Sequence, residues 1–389
     1  MRFALLAFLS LTFVACDSAS IEQGDPFVYA TDGTDGVSGL IRAPNGDLVV
    51  VGSSEGIPRP ADGTLALPTV LRFSETGTLR SAEVYRDIGF GRVVSAAFLG
   101  DELAVTAYAG PDDIGSSQVV VYRTDGQGRR VSELLRPRAE FAPVEAFVGL
   151  EDGSAVVAVR PESPDAPSLY RIDASGRVAW SERPGGLRVS ALAPAPAGDV
   201  YLLGQRVGVG PVVARVRGND GSLVWSLDWD NTATPERLAA TSAGVAVLEN
   251  RRSLADGSSI RVVPVSSSGA VGTPISVASA PGSADGTSHS ERSLRGTSLA
   301  DLGGGRFAVA YTESGRDIFT APDAWVVTAS AQGVSERQRF GVEGRWVDAS
   351  SMLRLLDGRL AVAGSVGPEQ ISGYGGDDFD IVVRLYDIR

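Results

Sequence analysis

One histidine, one cysteine and no lysine limit the chemistry open to this chain of 389 residues. His289 would have to serve any Ser-His-Asp site. It stands in a polar stretch, residues 280–296, and no Gly-x-Ser-x-Gly elbow accompanies it. A multi-histidine metal centre is impossible, and Cys16 has no second cysteine with which to form an intramolecular disulfide. Without a lysine or a P-loop, magnesium-phosphate chemistry of the nucleotide-binding kind has no foothold. Carboxylates are abundant, so acid-base hydrolysis by an Asp/Glu pair stays open, although no spacing singles out a pair. Acidic runs at Asp32-Gly33-Thr34-Asp35-Gly36, Asp112-Asp113 and Gly375-Gly376-Asp377-Asp378 could supply oxygen ligands, but none has the terminal glutamate of an EF-hand loop. They read as Asp-Gly turns, and no metal or cofactor is expected.

The elements that carry these residues repeat. Seven turns with a glycine, Asn45-Gly46, Leu99-Gly100, Asp152-Gly153, Ala197-Gly198, Ala243-Gly244, Gly304-Gly305 and Asp357-Gly358, are each followed by a short apolar run. The runs are residues 48–51, 103–105, 155–159, 200–203, 245–248, 307–310 and 360–363. A period of this kind marks a repeat architecture. A second turn recurs in six units, at Thr76-Gly77, Gln127-Gly128, Ser175-Gly176, Asp220-Gly221, Ser268-Gly269 and Gln332-Gly333. Two turns per unit divide it into four strands, A to D, with the first turn joining A to B and the second joining C to D. The expectation is an all-β, seven-bladed β-propeller of four-stranded antiparallel blades.

The seventh unit ends after its third strand, and residues 26–31 supply the fourth. The text Phe27-Val28-Tyr29 resembles the strand-D text Glu83-Val84-Tyr85 of unit one. Pairing the N-terminal strand with the last blade closes the ring and removes two open edges. With 47 Gly, 21 Pro and no amphipathic run of helical period, composition agrees, and one domain over residues 26–389 is expected.

The N-terminus reads as an address. Residues 1–15 combine a positive start at Met1-Arg2 with an apolar stretch too short to span a bilayer. Phe13-Val14-Ala15-Cys16 resembles the lipobox of bacterial lipoproteins. That resemblance implies lipidation of Cys16, a polar tether within residues 16–25, and attachment to the non-cytoplasmic side of a membrane in the cell envelope. Acyl chains contribute about 0.8 kcal/mol per buried methylene to such an anchor. Net charge −12, with all 35 basic residues arginine against 47 acidic ones, argues against a nucleic-acid partner.

The runs Asn45-Gly46-Asp47-Leu48-Val49-Val50-Val51-Gly52-Ser53 and Asp357-Gly358-Arg359-Leu360-Ala361-Val362-Ala363-Gly364-Ser365 resemble the repeat of bacterial seven-bladed envelope propellers. Asp380-Ile381-Val382-Val383-Arg384-Leu385-Tyr386-Asp387 is similar to the strand that follows in those repeats. The resemblance implies a scaffold rather than an activity. Trp180 and Trp225, each four residues after a turn glycine, resemble the docking tryptophans of quinone-type propellers and are expected to pack between blades. Arg72, Arg123, Arg171, Arg215 and Arg384 share one place in strand C, while Pro264 and Thr328 replace them in units five and six. A ring of arginines suits an anionic ligand. Strand C lies far from the axis, however, so solvated or inter-blade ion pairs are the expected role.

In a propeller the D-to-A connections and the B-to-C loops share one face, where loops vary over a rigid frame. The longest are residues 53–68, 109–117, 312–322 and 365–376. This face gathers Arg92, Asp112, Asp113, Asp230, Arg316, Asp317, Phe319, Trp346, Asp348, Tyr374 and Asp377 as ligand candidates. Mixed charge with aromatics would suit an envelope protein or a glycan. The expected function is a non-catalytic binding scaffold; the alternative is a carboxylate-based hydrolase or lyase acting on glycans or other envelope polymers.

Overall fold

Each apolar run is buried on both faces because it is the second strand of a blade held between two others. In the computed structural model, the described residues are 22–23, 25–30, 35–59, 63–87, 90–110, 118–125, 128–135, 144–160, 166–206, 208–253, 257–281, 293–314, 322–341, 345–369 and 379–388. Successive side chains of a strand point to opposite faces. Thus Val49 and Val51 enter the core shared with blade 2, and Leu48 and Val50 enter the core shared with blade 7. Val245 and Val247 face blade 4, while Ala246 and Leu248 face blade 6. Seven such inter-blade cores hold the ring.

Blade 1 comprises Gly36–Arg42, Leu48–Arg59, Gly63–Phe73 and Leu79–Val84 as strands A to D. The same order recurs in blade 2 (Phe90–Leu99 to Arg130–Leu135), blade 3 (Val144–Gly149 to Val178–Glu182), blade 4 (Leu187–Pro194 to Leu223–Asp228) and blade 5 (Ala233–Thr241 to Ile275–Ala280). In blade 6 strands A to C are Ser293–Gly303, Arg306–Ser314 and Asp323–Ser330, and the outer strand is split into Gly333–Val334 and Gln338–Phe340. Among the described residues the helical elements are two short 3-10 turns, Pro184–Gly186 and Pro196–Gly198.

Blade 7 takes Arg345–Arg354, Leu360–Glu369 and Asp380–Asp387 from the C-terminal end of the chain. Its outer strand comes from the N-terminal end, with Phe27, Val28 and Tyr29 opposite Val383, Val382 and Ile381. Glu22 and Gln23, within the expected tether, also pair with Asp387 and Tyr386. The ring is therefore closed by the N-terminal strand, as the repeat predicted.

Two further features adjust the expectations. The connection at residues 53–68 of blade 1 is not a loop, because strands B and C run on as a hairpin out to the pair Arg59 and Gly63. The glycine after several apolar runs also has a packing reason. A Cβ on Gly364 would lie 1.9 Å from the Asp348 carbonyl oxygen, and one on Gly204 would lie 2.6 Å from that of Arg188. Strand A bends toward strand B at these places, so only hydrogen fits.

The outer parts of neighbouring blades are latched. Arg171 pairs with Asp152 in its own blade and reaches the Gly218 carbonyl of blade 4. Trp180 donates its indole N–H to the same carbonyl at 2.8 Å. One seam further on, Arg215 pairs with Asp199 at 2.7 Å, and both Arg215 and Trp225 donate to the Ser267 carbonyl of blade 5, at 3.1 and 2.9 Å. Arg123 reaches the Ala174 carbonyl at 3.3 Å, and Tyr85 donates to the Gly128 carbonyl at 2.7 Å. The closing strand does likewise: a Cβ on Gly77 of blade 1 would lie 2.2 Å from the Phe27 ring. Arg123, Arg171 and Arg215 of strand C and the two tryptophans thus join blades. Between blades 5 and 6, where Pro264 and Thr273 replace arginine and tryptophan, a groove of about 530 Å³ opens.

Candidate functional site

Every strand A carries an irregularity against strand B at the same level of the ring, and the A strands of blades 6 and 7 each carry a second one elsewhere. Such bulges twist a strand and re-aim its side chains. The residues that follow the shift are Gly39, Ser95, Ala146, Ala191, Ser298 and Ser351 in six blades, and Arg237 in blade 5. All seven line an axial cavity of about 650 Å³. Small residues leave the cavity open, and one guanidinium projects into it.

Small side chains on the inner ring also bind neighbouring strands. The Ser351 hydroxyl accepts the Leu40 N–H at 3.0 Å, and the Thr297 hydroxyl donates to the Ala349 carbonyl at 2.6 Å. Next along each strand A comes an apolar layer, which includes Phe147, Leu192, Leu238, Leu299 and Met352. On the other side, toward the D-to-A connections and B-to-C loops, the wall is charged, with Arg92, Arg295, Glu145 and Asp348.

The charges differ in how they are engaged. Glu145 is held by Arg160 at 2.8 Å and by Arg188 at 3.3 Å. Asp348 accepts a hydrogen bond from the Ser350 hydroxyl at 2.9 Å. Arg295 approaches Glu236 only to 3.9 Å. Among the described residues, Arg92 and Arg237 have no carboxylate within ion-pair distance. Arg237 donates to the backbone carbonyl of Glu236 at 2.9 Å. It is open to the water of the cavity yet walled by protein. That loss of bulk solvent holds its pKa below the ordinary arginine value; Glu236 and Asp348 oppose the shift, and Arg295 adds to it.

Of the residues expected on this face, the structure brings Arg92 and Asp348 together on the cavity wall. Asp230 sits on the connection from blade 4 to blade 5 but is occupied by a structural task. It accepts bonds from Thr232 and from Arg251, at 2.8 Å from each side chain, and these hold its carboxyl below the usual range. Arg251 continues to buried Glu249 at 3.0 Å, where Arg261 and the Trp229 indole also converge at 2.7 and 2.9 Å. Trp346 lies in strand A of blade 7, with only its place in the strand described. Asp112, Asp113, Arg316, Asp317, Phe319, Tyr374 and Asp377 fall outside the described residues, as do Cys16 and His289.

Arg237, Arg295 and Glu145 escaped the sequence reading. Their signal would have been the charged residues that interrupt otherwise small-residue A strands, as in Pro235-Glu236-Arg237-Leu238.

The fold and its axial cavity define a seven-bladed β-propeller, and solved structures share the architecture. A chain of the mitotic checkpoint complex is similar at TM-score 0.56 and 13% identity, with 100% of this chain and 99% of that chain covered. Ycf48 bound to a D1 peptide is similar at TM-score 0.55 and 12% identity, covering 95% and 98%. The Dos1 propeller follows at 0.53 and 10%, covering 94% of each. At such identities the likeness is one of fold. No protein-family model matches the chain, and no curated protein matches it in sequence.

Proposed function

We propose that this protein is a non-catalytic binding platform at the bacterial cell envelope, anchored through lipid on Cys16, whose partner docks on the face around the open end of the axial cavity. One observation carries the reading. Of the side chains that recur from blade to blade, Arg123, Arg171, Arg215, Trp180 and Trp225 are occupied in joining blades, whereas the charges that do not recur, Arg92, Arg237, Arg295 and Asp348, converge on the cavity. A rigid ring with variable chemistry at its axis suits recognition. The mixed charge there suits a polar partner, such as an envelope protein or a glycan. The lipobox-like Phe13-Val14-Ala15-Cys16 supports the anchor.

Two measurements test the reading. Wild-type protein solubilised from envelope should retain a partner that the charge-reversed pair Arg92→Glu with Asp348→Arg releases; equal recovery by both proteins would overturn the docking face. Cys16→Ser protein should lose both lipid label and membrane fractionation, and retention of both would overturn the anchor.

A further inference from the structure

The axial cavity is layered along one line. At its open end stand the charged residues, then the level of small residues broken by Arg237, then the apolar layer that includes Leu238, Leu299 and Met352. We propose that this cavity is a binding site for a carboxylate that carries a short apolar group, with the carboxylate on Arg237 and the apolar group against the layer of Leu238, Leu299 and Met352. Arg92 and Arg295 assist from the open end.

Three observations converge on this chemistry. First, Arg237 stands where the other six blades place Gly, Ala or Ser, so packing of the A strands does not require its length. Second, its guanidinium is open to the water of the cavity with no carboxylate at ion-pair distance among the described residues, and its side-chain bond is to the neutral carbonyl of Glu236. A cation held in this way is stabilised by a bound anion, and a guanidinium matches the planar, two-oxygen geometry of a carboxylate. Third, of the two acids on the cavity wall, Glu145 is already engaged by Arg160 and Arg188, and Arg295 has Glu236 at 3.9 Å, which leaves Asp348 against Arg92 and Arg237. The cavity is thus locally cationic in a chain of net charge −12. Its volume, about 650 Å³, admits a small organic acid or the last residues of a peptide. A bare inorganic anion would leave the apolar layer unused.

The ligand could be a free acid or the C-terminus of a polypeptide, and the two sources share the same recognising groups. This inference shares the docking face with the platform reading, so the experiment must let either fail alone. Calorimetric titrations of the detergent-purified full chain would use 4-methylpentanoate, its uncharged amide, a short peptide ending in leucine with a free carboxylate, the same peptide amidated, and inorganic phosphate.

Each carboxylate should bind roughly tenfold or more tightly than its amide, because a charge-assisted bond is lost in the amide. Arg237→Gln should abolish that preference, and Arg92→Gln should reduce it less. Tighter binding of the free acid than of the peptide would assign the site to small acids, and the reverse order would assign it to a chain terminus; both support the site. Equal affinity of acid and amide, phosphate binding as well as the organic acids, or an unaltered preference in Arg237→Gln that melts like wild type would overturn it. If Arg237→Gln fails to fold, Arg237→Lys with Leu238→Ala serves instead, and a preserved preference for the organic acid over phosphate again overturns the site. A partner recovered from envelope equally by wild type and Arg237→Gln would leave the platform standing without this site. Acid binding with no recovered partner would do the converse.

Discussion

The seam between blades 4 and 5 and the seam between blades 5 and 6 are built on the same frame and finished differently. At the first, Arg215 and Trp225 both donate to the Ser267 carbonyl, and the turn glycine Gly269 lies against the Trp225 ring, where an added Cβ would come within 3.1 Å. At the second, Pro264 pairs with Ala246 as Arg215 pairs with Tyr201, and Thr273 follows Gly269 at the interval by which Trp225 follows Gly221. There the groove of about 530 Å³ takes the place of the latch. Both seams keep a dry core of B- and C-strand side chains. The hydrophobic sandwich therefore makes the ring, and the latch is an addition at two positions that can be omitted without breaking closure.

The largest effect should come from dismantling a latch. Trp225→Ala with Arg215→Ala should cost roughly 3–4 kcal/mol, summing a half-buried aromatic with the two bonds to Ser267, as read from urea denaturation. A loss below about 1 kcal/mol would show that the seam relies on its core alone. At the closing seam, Phe27→Ala should cost about 2 kcal/mol by freeing the ring that lies against Gly77 and Phe73, measured in the same way. Installing the missing pair, Pro264→Arg with Thr273→Trp, should fill the groove and add about 1 kcal/mol. A destabilised double variant would mean that the groove is shaped by strand geometry rather than by absent side chains.

Smaller still is the contribution of the acid in the latch between blades 3 and 4. Partial burial of Asp152 opposes its ionisation, but bonds from Ser154 and Arg171 outweigh that and hold its carboxyl below its ordinary value of 3.8. A carboxyl lowered in the folded state stabilises above its unfolded pKa and loses that contribution as pH falls through the folded value. The stability difference between wild type and Asp152→Asn should therefore be present at pH 7, modest because the Asp152 side chain is 55% exposed, and should vanish as pH drops below 3.8. The least change is expected at the axis. Arg237→Gln should alter stability by no more than about 0.5 kcal/mol, since no folded-state ion pair is lost.

The scaffold was legible because two of its requirements act directly on residue type. A-to-B turns need a left-handed residue, supplied by Gly46 at φ 92° and Gly358 at φ 90°. Strand B needs apolar side chains on both faces, as in Leu48, Val49, Val50 and Val51, all 0% exposed. Closure was legible for the same reason, from the likeness of Phe27-Val28-Tyr29 to a strand-D sequence.

The A-strand bulges were not legible, because a bulge is a backbone register and imposes no residue type. Ser38, Val94, Glu145, Ser190, Glu236 and Thr297 all stand between the residues where register shifts. Arg237 was hidden by that variety. Asp230 shows the opposite difficulty. Its place on a D-to-A connection was read correctly, but only three-dimensional packing reveals that Thr232 and Arg251 already use its oxygens. In blade 1 a loop was expected over residues 53–68, yet strands B and C extend as a hairpin out to the pair Arg59 and Gly63.

The pairing of Phe27–Tyr29 with Ile381–Val383 makes the order of synthesis matter. Blades 1 to 6 can each assemble as their strands emerge in order from the N-terminal side, every one docking on its predecessor. The outermost strand of blade 7 is made first and must wait for nearly the whole chain before its partner exists. Until then it offers unpaired backbone groups and the apolar faces of Phe27 and Tyr29 to any other strand nearby. Contacts so distant in sequence form late and slow folding. The joint that completes the circle is therefore also the interval in which the nascent protein is most exposed to mispairing, and a chaperone that shields the N-terminal segment would act there with most effect.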